Sequence, residues 1–155
     1  MSKQRIIIIV LALIGIAAAF LPWNSWDGKL DMMENGEPVA GISSPEEGNL
    51  NGIGVGLAEG VPVPAGLITL ALFVVPLIFC ALGQRYDSLE KSAFLTAICG
   101  LLAAGIGVWR IIDRDSVVIE KANMVFDGRV EIGIGLLVLC VAGLGVCIMS
   151  FVKMR

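Results

Sequence analysis

Few side chains in this 155-residue sequence are of the types that carry out chemistry, and their placement argues against catalysis. The sequence has no histidine, which is the residue most often used as a general base or a metal ligand. All of its cysteines fall inside long apolar segments; they are Cys80, Cys99, Cys140 and Cys147. Without cysteines in the polar segments or acids beside Cys140 and Cys147, we interpret all four as small packing residues. We therefore expect no enzyme, no metal site and no cofactor.

The elements that position these residues are four apolar segments of membrane-spanning length. A composition of 57% hydrophobic and 16% charged residues is typical of an integral membrane protein. A bilayer core about 30 Å thick requires about 20 apolar residues per helix. The segments that meet this length are 6–23, 62–83, 93–112 and 132–152. We predict one domain over 1–155, an all-α membrane protein built as a bundle of four transmembrane helices.

The distribution of basic residues predicts the orientation of these spans. Short segments rich in Lys and Arg beside spans stay in the cytoplasm. The basic residues assigned to that side are Lys3, Arg5, Arg85, Lys91, Lys153 and Arg155. All acids except Asp87 and Glu90 lie in the two outer loops, 24–61 and 113–131. We expect a multi-pass protein of the cell membrane with both termini and the short inner loop, 84–92, in the cytoplasm.

The end of the first span allows two interpretations. The alanines at 17–19 match the cleavage site of a signal peptide. The apolar run nevertheless continues to Trp23, which favours a helix that is retained in the membrane. Trp23 and Trp26 are then membrane-interface anchors, as are Trp109 and Arg110 at the outer end of the third span.

The two outer loops carry the unusual sequence of this protein. Asp-Gly, Asn-Gly and Ser-Pro pairs separate β-prone fragments, which predicts a small extracellular cap with short β-strands from both loops. The Gly-rich segment 52–57 is interpreted as a flexible loop beside the membrane, because a phosphate-binding loop requires a different context. Candidate contacts for a cation or a basic partner are the loop acids Glu34, Glu37, Glu46 and Glu47. A solvated acidic loop is the alternative, since no calcium-loop pattern is present.

Small residues recur on two of the predicted spans at helical spacing. Transmembrane helices associate where small side chains let their backbones approach closely. The residues predicted to pack in this way are Gly100, Ala104, Gly107, Gly135, Ala142 and Gly143. They form either the seams of the bundle or an interface between copies. At the outer boundary, Glu131 is a candidate ion-pair partner for Arg110.

Several segments together resemble a widespread group of small, uncharacterised bacterial membrane proteins with four spans. They are FLPW at 20–23, NGIG at 51–54, AEGVPVPAGLITLAL at 58–72 and VEIGIGLLVLC at 130–140. The resemblance implies a bacterial inner-membrane protein and no assigned activity. The layout of spans and loops is also similar to that of claudins, without their W-GLW-C-C signature. That similarity in topology implies an outer cap and lateral self-association.

These features favour a non-enzymatic membrane protein. We expect an assembly, accessory or scaffold subunit that associates through its acidic outer cap and its small-residue helix faces. Its expected partners are the lipid bilayer and either itself or another membrane protein, and not nucleic acid. The alternative is a homo-oligomeric pore with cation preference. A transporter is disfavoured, because the spans lack the acids or histidines that mark ion pathways at membrane depth.

Overall fold

The structure, a computed structural model, describes residues 3–34, 37–54, 56–58, 61–82, 89–113 and 124–152. Its described residues form four helices, which are α1 (Lys3–Ala18), α2 (Ala65–Leu82), α3 (Leu89–Ile112) and α4 (Ile134–Phe151). Each helix packs on the next along the chain, and α4 also packs on α1. The fold is therefore mostly helical.

Three of these helices are long and apolar enough to cross a membrane: α2, α4 and the Ser92–Ile112 part of α3. Each lies within one of the predicted spans or overlaps most of it. Helix α1 has 16 residues and ends at Ala18, whereas the sequence predicted a span that continues to Trp23. The chain turns after Ala18, and Pro22 begins a strand. The end of the first predicted span therefore belongs to a sheet.

The buried core runs through the middle of the four helices. Its largest fully buried apolar side chains include Ile8, Phe73, Leu136 and Leu139. The ring of Phe73 fills the space above Gly15, where a Cβ atom would collide with it. Helices α1 and α2 therefore approach closely at this level, and large side chains elsewhere on all four helices remain exposed.

Both connections that were predicted to lie outside contribute strands. Strands β1 (Pro22–Glu34), β2 (Glu37–Asn51) and β5 (Met124–Ile132) form an antiparallel sheet in the order β2-β1-β5. Two short strands, β3 (Gly56–Ala58) and β4 (Val61–Pro64), pair separately before α2 begins. The expectation of a small sheet is confirmed. With 13 residues in β1 and 15 in β2, its main hairpin is longer than the short strands that were predicted.

The three-stranded sheet has one apolar face and one polar face near the bundle. Asn24, Leu50 and Ile132 stand opposite one another on neighbouring strands, and the two apolar members pack against the helical core. One residue away along their strands, Asn49 and Glu131 are exposed. This alternation follows from the two-residue period of a strand. The apolar face of the sheet therefore rests on the end of the bundle where α1 ends and α4 begins.

Candidate functional site

The junction between the sheet and the bundle is built around Trp23, whose side chain is fully buried. Its indole Nε1–H donates a hydrogen bond to the carbonyl of Ala18 at 2.8 Å. That carbonyl belongs to the last turn of α1, where backbone carbonyls have no partner within the helix. Trp23 thus caps the helix that precedes it and fixes the angle at which β1 leaves the bundle.

Glycines make room for the Trp23 ring on two sides. A Cβ atom at Gly52 would lie 2.5 Å from the ring, and one at Gly135 would lie 2.7 Å from it. The carbonyl of Gly52 also accepts a hydrogen bond from the Gly66 N–H at 2.7 Å, at the start of α2. Gly52 was predicted to lie in a flexible loop, but it packs between the indole and α2. The Trp23 socket, formed by Ala18, Gly52 and Gly135, joins three helices to the sheet.

The predicted membrane-interface anchors occupy different environments. The ring of Trp23 lies inside the fold and not at the lipid-facing surface, because the chain leaves the helix five residues before it. Trp26 is half-buried and its ring covers Gly48 on the neighbouring strand. Trp109 is 55% exposed near the end of α3. Of the three tryptophans, Trp109 has the exposure that an interfacial anchor needs.

Arg110, the fourth predicted anchor, is buried with only 3% of its side chain exposed. Its Nη1 lies 3.2 Å from Oδ2 of Asp113, three residues further along the chain. Glu131, the candidate partner that the sequence offered for Arg110, has an exposed side chain in β5. A guanidinium near the C-terminus of α3 also interacts favourably with the helix dipole. Arg110 and Asp113 thus form an ion pair at the C-terminal end of α3.

The predicted small-residue faces meet each other within the chain. A Cβ atom at Gly100 would lie 2.6 Å from the carbonyl oxygen of Gly143, and one at Gly143 would lie 2.8 Å from the Ala104 nitrogen. Gly107 faces the sulfur of Cys140 in the same seam between α3 and α4. Ala142 is also buried, while Gly135 serves the Trp23 socket. Close backbone contact between α3 and α4 therefore uses most of these residues.

Asn24 is a polar side chain in an apolar position. It is fully buried, and both its Oδ1 and its Nδ2 have no hydrogen-bond partner. Its neighbours across the sheet are Leu50 and Ile132. Leaving a buried amide unpaired costs free energy on the order of 1–3 kcal/mol. Sequence reasoning missed Asn24, although the alternation along β1 places it on the same face as Trp26.

The candidate acids lie along the β1–β2 hairpin. Glu34 stands opposite Glu37 at its far end, while Glu46 is opposite Gly28 and Glu47 is opposite Asp27. Like charges directly opposite each other destabilise a sheet. The register thus brings two pairs of acids into opposed positions on the hairpin, Glu34 with Glu37 and Asp27 with Glu47.

The rest of the described chain offers little reactive chemistry. Cys80 and Cys99 are buried in helices, and Cys140 and Cys147 are half-buried in α4. Within the described residues, no group of three His, Cys, Asp or Glu side chains could hold a metal ion. Two buried hydroxyls bind to their own helices, as Thr69 donates to the Gly66 carbonyl and Ser150 to the Val146 carbonyl.

The fold and this junction have the features of a helical membrane protein that carries an antiparallel sheet at one end of its helices. No known protein family, curated protein or solved structure matches the chain.

Proposed function

We propose that this chain is a non-enzymatic membrane protein of four spans, an assembly, accessory or scaffold subunit of the bacterial inner membrane. In this proposal its three-stranded sheet lies outside the membrane and binds other proteins, and both termini lie in the cytoplasm. The observation that carries the proposal is the length of the sheet beyond the bundle.

The sheet is longer than a cap requires. At about 3.3 Å per residue, the 13 residues of β1 extend over about 43 Å. Among the residues whose side chains the structure describes, Trp23 at the start of that strand enters the helical core, and Leu50 and Ile132, which stand opposite Asn24, pack against that core. Within the described part of the chain, the backbone of β1 approaches the helices mainly at α4, and β1 and β2 otherwise approach each other, which leaves the hairpin available for contact with another protein.

A fourth span is supported by the surroundings of α1. Its 16 residues extend about 24 Å, and the apolar chain continues through Leu21. Ile6, Val10 and Leu13 are each about half exposed, as expected for side chains that face lipid. At the opposite end, Gln4 Nε2 donates to the Met149 carbonyl at 2.7 Å, which ties α1 to the end of α4.

The sheet is a better candidate for association than the small-residue faces. Those faces are in contact with each other in the α3–α4 seam. Surfaces that are already buried within one chain cannot bind a second protein without opening the bundle. We therefore propose that the sheet binds other proteins. The alternative, a pore formed by several copies of this chain, is one outcome of the test below.

A photoreactive amino acid placed at single exposed positions tests this assignment in native membranes. Asn49 and Glu131 sample the sheet, and Leu101 and Val141 sample the exposed sides of α3 and α4. We expect protein adducts from the two sheet positions and only lipid adducts from the two helix positions. Protein adducts at the helix positions alone would overturn the proposal, and adducts between copies at those positions would favour the pore.

A further inference from the structure

The two edges of the three-stranded sheet differ in their capacity to accept another strand. In the described part of the chain, β2 and β5 each pair with β1 on one side only. An edge strand presents a row of unpaired N–H and C=O groups, which is a template for pairing with another chain. Which of these groups point outward follows from the register.

One hydrogen bond sets the alternation along β5. The Gly133 N–H donates to the Trp23 carbonyl at 2.7 Å, and Asn24 stands opposite Ile132 in the same register. In an antiparallel ladder, hydrogen-bonded pairs alternate with pairs that do not exchange hydrogen bonds. Gly128 and Val130 are therefore at positions whose N–H and C=O groups point away from β1, as are Met124, Phe126 and Ile132.

The same alternation places a proline at an outward-facing position of β2, the opposite edge strand. Pro45 stands opposite Lys29, and Pro38 stands opposite Met33. At position 45 the groups of β2 point outward, where proline supplies no N–H, and Pro38, beyond the register shift between Asp31 and Met33, has no N–H to donate in either direction. Prolines on an edge strand prevent further pairing. No proline occurs in β5, so among the described strands β5 (Met124–Ile132) is the edge that can accept another strand.

We infer that β5 pairs with β5 of a second copy of this chain, antiparallel, about a two-fold axis at Gly128. The inference rests on the proposed function, since it names the partner that the sheet binds. In this register five positions on each strand face the other copy, and they exchange about ten backbone hydrogen bonds. A two-fold contact of this kind is the commonest way in which soluble oligomers form.

The sequence MVFDGRVEI is self-complementary in this register. Asp127 stands opposite Arg129 of the second copy, and the symmetry repeats that pair on the other side of the axis. Phe126 stands opposite Val130 of the second copy, so two apolar residue types occupy directly opposed positions. Opposite charges and apolar residues in directly opposed positions stabilise antiparallel strands.

The position of the axis follows from strand length. Gly128 is the central residue of the nine in β5, and it has no side chain to obstruct the second copy. A register centred on Val130 would pair Arg129 with Glu131 of the second copy. That register would shorten the overlap by four residues and lose the outward groups of Met124 and Phe126.

The two-fold axis fixes how the faces of the joined sheet are arranged. A two-fold axis perpendicular to a sheet keeps the same face of both copies on the same side. Leu50 and Ile132, which pack against the helical core, lie on that shared face in each copy. The six-stranded sheet ends in β2 at both edges, where Pro38 and Pro45 stop further addition. The expected assembly is therefore a closed dimer.

Disulfide formation in native membranes tests both the pairing and its register. Gly128→Cys places two thiols at the axis, within the distance that a disulfide spans. The matched control, Val130→Cys, lies on the same face two residues away, and its thiols would be about 14 Å apart. Mild oxidation should convert most of the Gly128→Cys protein to a dimer, while Val130→Cys stays at the background of the unmodified chain.

A second variant tests whether the outward N–H groups stabilise the dimer. Val130→Pro removes one outward donor per copy without removing a hydrogen bond to β1. Added to Gly128→Cys, it should weaken the dimer about tenfold or more, while Val130→Thr should not. Helical content by circular dichroism establishes that each variant is folded.

Three outcomes would overturn the inference. They are a folded Gly128→Cys protein that gives no dimer, preferential cross-linking of Val130→Cys, and a dimer that is unaffected by Val130→Pro. If the photoreactive sheet positions capture a different protein while Gly128→Cys stays monomeric, the proposed function stands and the self-pairing fails.

Discussion

In the helix bundle close contacts join small residues of the same chain, whereas the β5 edge of the sheet has no partner strand among the described residues and carries no proline. Gly100 and Gly143 bring α3 and α4 together until a single added carbon would collide with backbone. Along β5, by contrast, alternate N–H and C=O groups point outward. The comparison teaches that small residues in a span do not by themselves identify an interface between proteins. A sheet edge without proline is the more informative signal here.

The largest loss of unfolding free energy is expected at the junction between the sheet and the helix bundle. Trp23→Ala would empty the socket and leave the Ala18 carbonyl without its hydrogen bond. Truncation of a buried tryptophan costs about 3–5 kcal/mol of unfolding free energy. Denaturation in mild detergent, followed by circular dichroism, measures the loss.

Trp109→Ala is the matched control, because Trp109 is more than half exposed. Its change should stay within about 0.5 kcal/mol. Equal losses for the two variants would contradict the structural role assigned to Trp23.

Periodicity and composition predicted the helices well, because spanning segments are long and uniformly apolar. The strands near the junction were harder to predict, since LPW continues the apolar run of α1 even though Trp23 lies in β1. Only the tertiary fold shows that its indole binds back to Ala18. Burial of Asn24 likewise cannot be predicted from a single sequence, because it depends on which face of β1 packs on the helices. The register that exposes the β5 edge depends on pairing between distant segments.

The second prediction concerns the seam of the bundle. Gly100→Ala would place its new carbon 2.6 Å from the Gly143 carbonyl oxygen, which is backbone and cannot rotate away. Overpacking of this kind costs about 1–3 kcal/mol. Thermal unfolding in detergent should show a lower midpoint for the variant.

Gly105→Ala provides the control on the same helix, since nothing lies within 4 Å of the added carbon. Alanine favours a helix over glycine by up to about 1 kcal/mol, so this variant should unfold at the same or a higher temperature. A Gly100→Ala protein as stable as Gly105→Ala would show that the seam is looser than described.

The third prediction has the opposite sign. Asn24→Leu replaces a buried amide whose two polar atoms lack partners with an apolar side chain of similar shape. We expect the free energy of unfolding to rise by about 1–2 kcal/mol. Asn49→Leu, on the exposed face of β2, should change it by less than about 0.5 kcal/mol. Destabilisation by Asn24→Leu would show that the amide has a partner, such as a buried water molecule.

The smallest effect on stability, and the sharpest test of the two edges, is expected from Pro45→Thr. The change restores an outward N–H on β2 opposite Lys29 and lowers the free energy of unfolding by only about 0.4–1 kcal/mol. Opening this edge should allow β2 to pair between dimers, so assemblies larger than the dimer should appear in light scattering of detergent-solubilised protein. Ser44→Thr is the control, because the N–H of residue 44 points toward β1 and its size distribution should not change. If Pro45→Thr also keeps the size distribution of the unmodified chain, proline is not what closes the β2 edge, and the difference between the two edges must come from the side chains along them.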